Sequence, residues 1–334
     1  MNKPDNPLKE RPIDISIVIV SFNTCDLTRK CLTDVARSTG GMACEVFVVD
    51  NASLDGSADM VEKEFPAVRL IRIDKNRGFA GGNNPAIKEA VGRYVLLLNS
   101  DAFLVDGVLE KSIQYMDSNE KTGVLGCSLT NPDGSMQPSA RMLPGPLNKT
   151  LHISGLAARF PRSKFFGRVD FSWWDHSTPR NVGWVVGAFF LIRSELIDEI
   201  GGLDERYFLY FEEIDYCLAA KKNGWDVIYY PDVKIVHLGG QSSVRTGEKI
   251  SPKGRQLLSV RLKSEFRYYR KWFGIIYVLL SAGIEIIWNC IVFVRNCIRF
   301  SPTGTTRRHD ARIIIRLIIS TLMTDRFGNV GDSS

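Results

Sequence analysis

The sequence lacks the residue patterns that define several protein classes. Its seven cysteines are scattered and none is spaced as CxxC, which argues against a disulfide framework or zinc site and indicates reduced thiols in the cytosol. Residues 1–12 are polar without an apolar signal region, so export is not expected. No internal repeat or low-complexity tract occurs, and the glycine-rich segment 76–84 follows neither the P-loop nor the GxGxxG pattern.

Composition and charge are consistent with a globular protein that has a large core and a basic end. The 334 residues are 44% apolar and 24% charged, which allows one large or two ordinary domains. The net charge of +6 is uneven, because basic residues crowd the region from Arg255 to Arg316. Such a region suits nucleic acid or an anionic membrane. The apolar stretch between its basic flanks favours the membrane, and no nucleic-acid partner is expected.

Strand and helix signals alternate through the first 130 residues. Apolar, β-branched runs at 15–20, 46–49, 68–73, 94–98 and 123–129 are separated by helical segments. This alternation predicts an α/β fold, a mostly parallel sheet with helices on both faces. Residues 131–182 lose the rhythm and predict long loops with short elements. Order returns with a strand at 184–192, an acidic helix from Glu212, and strands at 227–230 and 233–236.

These changes in pattern suggest the domain organisation. We expect a polar tail at 1–12 and an α/β domain at 13–250. Within that domain, 13–130 would be the nucleotide-binding half and 131–250 the acceptor half. A basic, apolar helical extension would follow at 251–334.

Asp50 stands at the carboxyl end of the second predicted strand. Open α/β sheets bind their ligands at such strand ends, and a carboxylate there can accept a hydrogen bond from the N3–H of uracil or thymine. We therefore predict that Asp50 recognises a base, with Ser21, Asn51 and Ser53 in the same pocket. Ser53 or Asp55 could instead cap the following helix, and capping is the favoured role of Asp55.

The glycine-rich segment 76–84 lies between the third predicted strand and its helix. Glycines there let backbone amides approach a nucleotide or phosphate at a helix N-terminus. Asn76, Gly78 and Asn83 are therefore predicted donor contacts. The alternative is a tight turn that is capped by Asn83 or Asn84, since a glycine-rich loop is a weak signal by itself.

Asp101 closes the apolar run that begins at Tyr94, and Asn99 lies beside it. Mg²⁺ and Mn²⁺ prefer oxygen ligands and often bind one or two carboxylates together with substrate phosphates. We predict that Asp101 holds such an ion and, with Asn99, the diphosphate of a nucleotide sugar; a helix cap is the alternative. His237, at a later strand end, is a candidate second ligand, although a lone histidine is usually structural and imidazole suits Mn²⁺ less than carboxylate does.

Three carboxylates, Glu212, Glu213 and Asp215, open a predicted helix. Sugar transfer with inversion needs one carboxylate to deprotonate the attacking hydroxyl, and the adjacent aromatic residues provide a partly dry setting that can tune such a base. The helix dipole alone also favours acidic residues in a first turn. The choice between Glu213 and Asp215 stays open.

The segment from Ile275 to Val294 is almost entirely apolar, and Glu285 is its only charge. On a helix, the polar residues of this region fall on one narrow stripe: Lys271, Ser281, Glu285, Asn289, Asn296 and Arg299. We expect this helix and a second amphipathic run at 313–322 to lie at an anionic bilayer. Packing on the protein core and a true membrane span are the alternatives.

In this order, the segments resemble the family-2 inverting glycosyltransferases of the GT-A fold. They are most similar to the rhamnosyltransferase-like enzymes of bacterial surface polysaccharides, over about residues 15–243. The resemblance implies that Asp50 binds a pyrimidine base. It also implies that Asp101, with Asn99 beside it, binds metal and diphosphate.

The same resemblance implies that Glu213 is the catalytic base and that His237 joins the metal. The sequence departs from the family pattern at two places. Glu213 stands where aspartate is usual, which leaves Asp215 as a rival. Pro85 follows an asparagine pair where the family often keeps a residue with an amide N–H, so one donor is missing.

We therefore expect a Mg²⁺- or Mn²⁺-dependent hexosyltransferase at the cytoplasmic face of a bacterial inner membrane. Its donor would be a UDP- or dTDP-sugar, dTDP-L-rhamnose among them, and its acceptor a hydroxyl of a lipid-linked saccharide. A sugar-nucleotide pyrophosphorylase would need a basic, glycine-rich loop where this chain has residues 21–25. A non-catalytic scaffold would have no need of Asp101, Glu213 and His237 together.

Overall fold

The structure is a computed structural model that describes residues 11–239, 245–246, 249–298 and 302–329. These residues form two compact units. Unit 1 contains 11–141, 176–205 and 212–239, whereas unit 2 contains 142–175, 206–211 and the described residues beyond 239. The chain therefore passes between the units more than once, and the boundaries at 13, 131 and 251 stay predictions.

The first part of unit 1 alternates strands and helices. Its elements are β1 (Ile15–Ser21), α1 (Cys25–Ser38), β2 (Cys44–Asp50), α2 (Ser57–Glu64), β3 (Arg69–Arg72), α3 (Gly78–Glu89), β4 (Tyr94–Asn99), β5 (Ala102–Phe103), α4 (Val108–Ser118), β6 (Thr122–Thr130), β7 (Met136–Gln137) and β8 (Ala140–Arg141). The predicted alternation is confirmed. Helix α3 begins at Gly78, so most of the glycine-rich segment 76–84, which was predicted to precede the helix, is itself helical.

The remaining elements follow in chain order. They are α5 (Pro146–Ile153), α6 (Leu156–Arg159), a 3₁₀ turn (Phe166–Arg168), β9 (Arg180–Asn181), β10 (Trp184–Val185), β11 (Phe189–Arg193), α7 (Ser194–Ile200), α8 (Glu212–Lys222), β12 (Asp226–His237), β13 (Arg245–Thr246), β14 (Lys249–Ile250), α9 (Pro252–Phe273), α10 (Ile275–Ile298), α11 (Pro302–Thr324) and a 3₁₀ turn (Arg326–Gly328). The two strands predicted at 227–230 and 233–236 are one strand, β12, whose register shifts between Tyr230 and Lys234. Helix α9 lies within the helical extension predicted at 251–334, although no separate helix was predicted at its position.

One sheet organises unit 1, with strands in the order β3-β2-β1-β4-β11-β6-β12-β5. The strands from β3 to β4 are parallel. Strand β11 runs antiparallel between β4 and β6, and β5 pairs antiparallel with β12 at the edge. The predicted mostly parallel α/β sheet is confirmed.

The register places the candidate site residues along one edge of this sheet. Ser21 lies opposite Asp50, and Val20 lies opposite Asn99. Because β1 lies between β2 and β4, the carboxyl ends of these three strands open where the chain reverses its direction across the sheet. Such a switch point is where open α/β sheets bind ligands.

Burial explains why these segments are strands. Strands β1 and β4 are buried along nearly their whole length, with Ile17 and Leu96 fully inaccessible. Continuous apolar runs of this kind form strands whose two faces are both covered. Helix α3 packs on β1 and β2, and α4 packs on β6 and β12. The sheet is therefore a rigid support for the side chains at its edge.

Unit 2 is mainly helical. Helices α9, α10 and α11 pack on one another, and the short helix α5 packs on α10. Four polar side chains of α10 are buried: Ser281, Glu285, Asn289 and Asn296. The polar stripe that the sequence predicts on this helix is thus its inner face.

Candidate active site

Asp50 has one carboxylate oxygen in use and one without a partner. The side chain is 5% exposed at the end of β2. Its Oδ2 accepts the amide N–H of Ser53 at 3.1 Å, whereas the buried Oδ1 has no hydrogen-bond partner among the described residues. A buried acceptor in this state is unfavourable until a donor reaches it. The predicted N3–H of a pyrimidine base is such a donor.

The side chain of Asn51 holds the start of helix α3. Its Nδ2 donates to the carbonyl of Gly78 at 3.0 Å, and its Oδ1 accepts the amide N–H of Arg77 at 2.8 Å. Asn76 Oδ1 accepts the amide N–H of Gly78 at 2.8 Å. A Cβ atom on Gly82 would lie 2.8 Å from Val20 Cγ1, so glycine allows α3 to approach β1 closely. Asn51 and Asn76 thus shape the loop, and their donor contacts stay predictions.

Three predicted contacts also use their side chains within the protein. Ser21 Oγ is fully buried and lies 3.0 Å from Thr28 Oγ1. Asn83 lies inside α3, and its Nδ2 donates to the carbonyl of Phe79 at 2.8 Å. Ser53 Oγ accepts the amide N–H of Asn23 at 3.0 Å. These side chains therefore have roles within the fold, and their contacts with a nucleotide stay predictions.

Asp101 and His237 meet at the edge of the sheet. The antiparallel pairing of β5 with β12 puts His237 opposite Ala102, and the amide N–H of Leu238 donates to the Asp101 carbonyl at 3.0 Å. As a result, His237 Nε2 lies 3.3 Å from Asp101 Oδ1. Asn99 Nδ2 lies 3.5 Å from the same ring nitrogen. Asp101 and His237, which are far apart in the sequence, are thus adjacent in the fold, as the predicted cation site requires.

This pair fits a divalent cation. Two ligands on adjacent corners of an octahedral Mg²⁺ or Mn²⁺ ion lie roughly 3 Å apart, close to the observed 3.3 Å. Both side chains are partly exposed, at 15% for Asp101 and 12% for His237, so an ion can reach them. The described residues contain no cluster of three or more acidic, histidine or cysteine side chains that could hold a metal. The remaining ligands would therefore come from substrate and water.

Glu213 is a partly buried carboxylate in the first turn of α8. Burial raises its pKa to about 7, although backbone amides and the charge of Arg141 act in the opposite direction. Its Oε2 is shielded from solvent and lacks a hydrogen-bond partner among the described residues. Glu212 and Asp215 are more deeply buried, at 4% and 3% exposed. A carboxylate with a pKa near neutrality is suited to accept a proton from a hydroxyl.

Glu213 and the end of β4 lie around one backbone segment, Gly187–Ala188. The carbonyl of Ala188 accepts the amide N–H of Asn99 at 3.1 Å. A Cβ atom on Gly187 would lie 4.0 Å from the Cβ of Glu213 and 3.4 Å from Cζ of Phe79. Glu213 and Asn99 thus lie beside the same segment within unit 1. Asn99 is two residues before Asp101 in the sequence. The candidate base therefore lies beside the segment that also contacts the end of β4.

The backbone immediately before the acidic helix is strained. Tyr210 and Phe211 adopt φ values of 67° and 71°, in the left-handed region that bulky residues rarely occupy. Such conformations cost about 1–3 kcal/mol each and cluster at functional sites. Nothing in the sequence signals them, because glycine and asparagine are the residues typical of this region.

The fold and the site define a class of protein. A strand-end carboxylate with a free oxygen, a candidate ligand pair for a cation and a candidate proton acceptor are the set of groups that the resemblance to sugar-nucleotide-dependent glycosyltransferases implies. The protein-family model for glycosyl transferase family 2 matches residues 16–201, which is more than half of the chain. The chain belongs to glycosyl transferase family 2, as its motifs predict.

Two relatives have rhamnosyltransferase names. The chain is 29% identical over 242 residues to the N-acetylglucosaminyl-diphospho-decaprenol L-rhamnosyltransferase of Mycobacterium tuberculosis, covering 69% of this chain and 78% of that protein. It is 23% identical over 236 residues to the dTDP-rhamnosyl transferase RfbF of Shigella flexneri, covering 70% and 71%. These matches confirm the predicted rhamnosyltransferase-like branch of the family.

A solved structure shares the fold. The mannosyltransferase PcManGT from Pyrobaculum calidifontis, in complex with GDP-Man and Mn²⁺, matches with a TM-score of 0.55 at 14% identity. The match covers 96% of this chain and 91% of that one. At this low identity the likeness concerns the fold, and the predicted GT-A architecture is confirmed.

Proposed function

We propose that the protein is a cation-dependent, inverting glycosyltransferase that acts on a UDP- or dTDP-sugar. The observation that carries the proposal is the Asp101–His237 pair. It is supported by the Gly187–Ala188 segment, which contacts Asn99 and lies beside Glu213. Asp101 and His237 would hold Mg²⁺ or Mn²⁺, which supplies positive charge to offset the charge that develops on a departing diphosphate. Glu213 takes the proton of the attacking hydroxyl.

The donor and acceptor follow from the base pocket and from the relatives. The free Oδ1 of Asp50 supports a base with an N3–H, which uracil and thymine have. The relatives named for rhamnosyl transfer make dTDP-L-rhamnose the first candidate donor. The name of the mycobacterial relative describes a saccharide on a polyprenyl diphosphate. We therefore propose a hydroxyl of a lipid-linked saccharide as the acceptor.

A donor panel tests this proposal. We expect dTDP- or UDP-sugars to raise the apparent unfolding temperature in the presence of Mn²⁺, because a ligand at about 100 times its Kd stabilises the native state by about 2.7 kcal/mol. The measurement is thermal unfolding with dTDP-rhamnose, UDP-glucose, UDP-galactose and GDP-mannose, each with Mn²⁺ or with EDTA. GDP-mannose is the matched control because guanine would not place the same group at Asp50. Equal stabilisation by every donor without a metal contradicts the proposal.

Helix α10 supports a location at a membrane. It has 24 residues, and among the described helices it is the one that is long and apolar enough to cross a bilayer. Only 28% of its most apolar 18-residue stretch is buried within the protein. Its large apolar side chains face outward, with Ile276 at 67%, Ile287 at 62% and Val294 at 59% exposed. A helix with its polar stripe inside and its apolar face outside is inverted relative to a helix of a soluble protein.

A charge network holds the polar stripe of α10 inside unit 2. Lys149 Nζ lies 2.5 Å from Glu265 Oε1 and 2.6 Å from Glu285 Oε2. Arg261 contacts both glutamates, at 3.0 and 2.9 Å. Burial acts to raise the pKa of Glu265, but Lys149 and Arg261 together lower it. Because this network secures α10 to α5 and α9, we propose that α10 lies in the interface of a bilayer rather than across it.

Charged substitutions on the outer face of α10 test the membrane proposal. We expect the double variant Ile287→Glu/Val294→Glu to bind vesicles at least about 100-fold more weakly, because each buried aliphatic side chain contributes about 1.5–3 kcal/mol. The measurement is flotation with anionic phosphatidylglycerol vesicles and with zwitterionic vesicles. Exposed arginines such as Arg295 and Arg307 should make the anionic vesicles the better partner.

The matched control places the same charges on exposed apolar residues of unit 1. Val91 and Val105 are 49% and 46% exposed, so Val91→Glu/Val105→Glu should leave vesicle binding unchanged. If both double variants float like the wild type, α10 does not bind the bilayer. We propose that the bilayer is the cytoplasmic face of a bacterial inner membrane, where nucleotide sugars are available.

A further inference from the structure

His237 can bind a cation only through a ring nitrogen that carries no proton. In a neutral imidazole one nitrogen donates and the other accepts, and the partner of the first decides which is free. His237 Nε2 faces Asp101, whereas Nδ1 lies 2.9 Å from Oε1 of Gln137, a residue of the short strand β7. Whether the amide oxygen or the amide nitrogen of Gln137 faces Nδ1 therefore determines the tautomer of His237.

The orientation of the Gln137 amide is fixed by two acceptors. Gln137 Nε2 lies 2.7 Å from the backbone carbonyl oxygen of His237 and 2.6 Å from Asn131 Oδ1. A carbonyl oxygen can only accept, so the amide group that faces the His237 carbonyl must be the NH₂. The opposite atom, which faces Nδ1, is then Oε1, an acceptor. In a neutral imidazole ring, Nδ1 then carries the proton and Nε2 is free of it.

The Asn131 amide is fixed in the same way from its other side. Its Nδ2 lies 2.8 Å from Ser135 Oγ, and the Ser135 hydroxyl donates to Asp133 Oδ1 at 2.6 Å. Hydrogen bonds from the Ser135 hydroxyl and amide lower the pKa of Asp133, so this carboxylate accepts. Ser135 Oγ must accept from Asn131, which leaves Asn131 Oδ1 to face Gln137. A chain of assigned hydrogen bonds thus runs from Asp133 to His237.

We propose that Gln137 is a positioning residue that keeps the proton of His237 on Nδ1 and presents Nε2 to the cation beside Asp101. This inference rests on the proposed cation dependence. Gln137 follows the turn Asn131-Pro-Asp-Gly134, where Gly134 has a φ of 82° that favours glycine. The hairpin of β6 and β7 therefore brings a residue 100 positions away in sequence to the side of His237.

The first experiment measures the tautomer in the metal-free protein. The chain has four histidines, and a His237→Asn variant identifies the signal of His237 in ¹⁵N spectra of the imidazole nitrogens. In a buffer of about pH 8.5, where imidazoles are generally neutral, we expect the Nδ1–H form in the wild type. Gln137→Met removes the acceptor at Nδ1. The Nε2–H form should then become populated, because Asp101 is left as the acceptor at 3.3 Å.

The second experiment measures Mn²⁺ affinity without a donor, from the electron paramagnetic resonance signal of free Mn²⁺. We expect Gln137→Met to weaken binding about 10- to 100-fold, the usual effect of losing an outer partner of a histidine ligand. Gln137→Glu loses the donor to the His237 carbonyl but keeps an acceptor oxygen for Nδ1, so it should retain the Nδ1–H form and bind Mn²⁺ more tightly than Gln137→Met. Gln114→Met is the matched control, since Gln114 is exposed on α4 and should leave both measurements unchanged.

The outcomes separate this inference from the proposed function. A wild-type His237 with its proton on Nε2 overturns the inference, and so does an unchanged Mn²⁺ affinity in Gln137→Met when the wild type binds Mn²⁺. If the wild type binds no Mn²⁺, either alone or with a saturating dTDP-sugar, while His237 keeps the Nδ1–H form, the proposed cation dependence fails, and the role of Gln137 toward a metal fails with it. If the wild type binds Mn²⁺ only with the donor, Gln137→Met is compared with it under that condition.

Discussion

Glu213→Gln is expected to lower the rate of sugar transfer about 10²- to 10⁴-fold, the usual contribution of a general base, while donor affinity changes by about twofold or less. Glutamine has nearly the shape of glutamate but cannot accept the proton of the attacking hydroxyl. Single-turnover transfer from a saturating donor measures the rate, and thermal unfolding with the same donor measures binding. Removing an interaction that is made only in the transition state should lower the transfer rate and leave donor binding nearly unchanged.

Three comparisons separate Glu213 from the other carboxylates. Glu212→Gln and Asp215→Asn test the neighbours in the same helical turn. Glu195→Gln is the matched control, because Glu195 also opens a helix and burial also raises its pKa. It should transfer sugar like the wild type. Loss of transfer in Asp215→Asn with normal transfer in Glu213→Gln would identify Asp215 as the base.

The raised pKa of Glu213 adds a signature in pH dependence. Only the deprotonated carboxylate can accept a proton, so the transfer rate should rise with pH up to about 7 and level off above it, given the pKa of about 7. Stability should run in the opposite direction. A carboxyl group whose pKa is higher in the folded protein stabilises the fold at low pH, and that stabilisation is lost as the pH rises through about 7. Glu213→Gln should therefore be more stable than the wild type at pH 8 but not at pH 5.

The parallel sheet and its strand-end carboxylates could be predicted because both depend on local pattern. Continuous apolar runs such as the one from Tyr94 to Leu98 form buried strands, and the α/β alternation leaves few possible topologies. Once the strands are parallel, their carboxyl ends must meet at one edge. The placement of Asp50 and Asp101 follows from this rule without knowledge of any long-range contact.

The sequence does not predict which polar side chains the fold itself uses. Asn51 is a reasonable nucleotide contact by position, yet both ends of its amide bind the backbone at the start of α3. Gln137 reaches His237 through a hairpin and a distant strand, and no local pattern reports such a pairing. Lys149 is another case, because the polar stripe of α10 shows in the sequence whereas its partner on α5 does not.

Asp101→Asn is expected to abolish the Mn²⁺-dependent part of donor binding and to lower kcat/KM on the order of 10³-fold. The metal and its ligands contribute several kcal/mol to transition-state stabilisation, and each 1.36 kcal/mol is a factor of ten in rate. Asparagine keeps the backbone carbonyl that accepts the Leu238 amide at 3.0 Å, so the pairing of β5 with β12 should persist. The loss then reports the missing carboxylate charge rather than a local unfolding.

Asp106→Asn is the matched control for this substitution. Asp106 lies five residues further along the same connection, and its exposed side chain binds Arg37 at 3.0 Å. Removing a surface ion pair of this kind changes stability by at most about 1 kcal/mol, so donor binding with Mn²⁺ should match the wild type. If Asp101→Asn keeps its Mn²⁺-dependent stabilisation by the donor, the cation is bound elsewhere. The pairing of Asp101 with His237 would then serve the fold of the sheet edge alone.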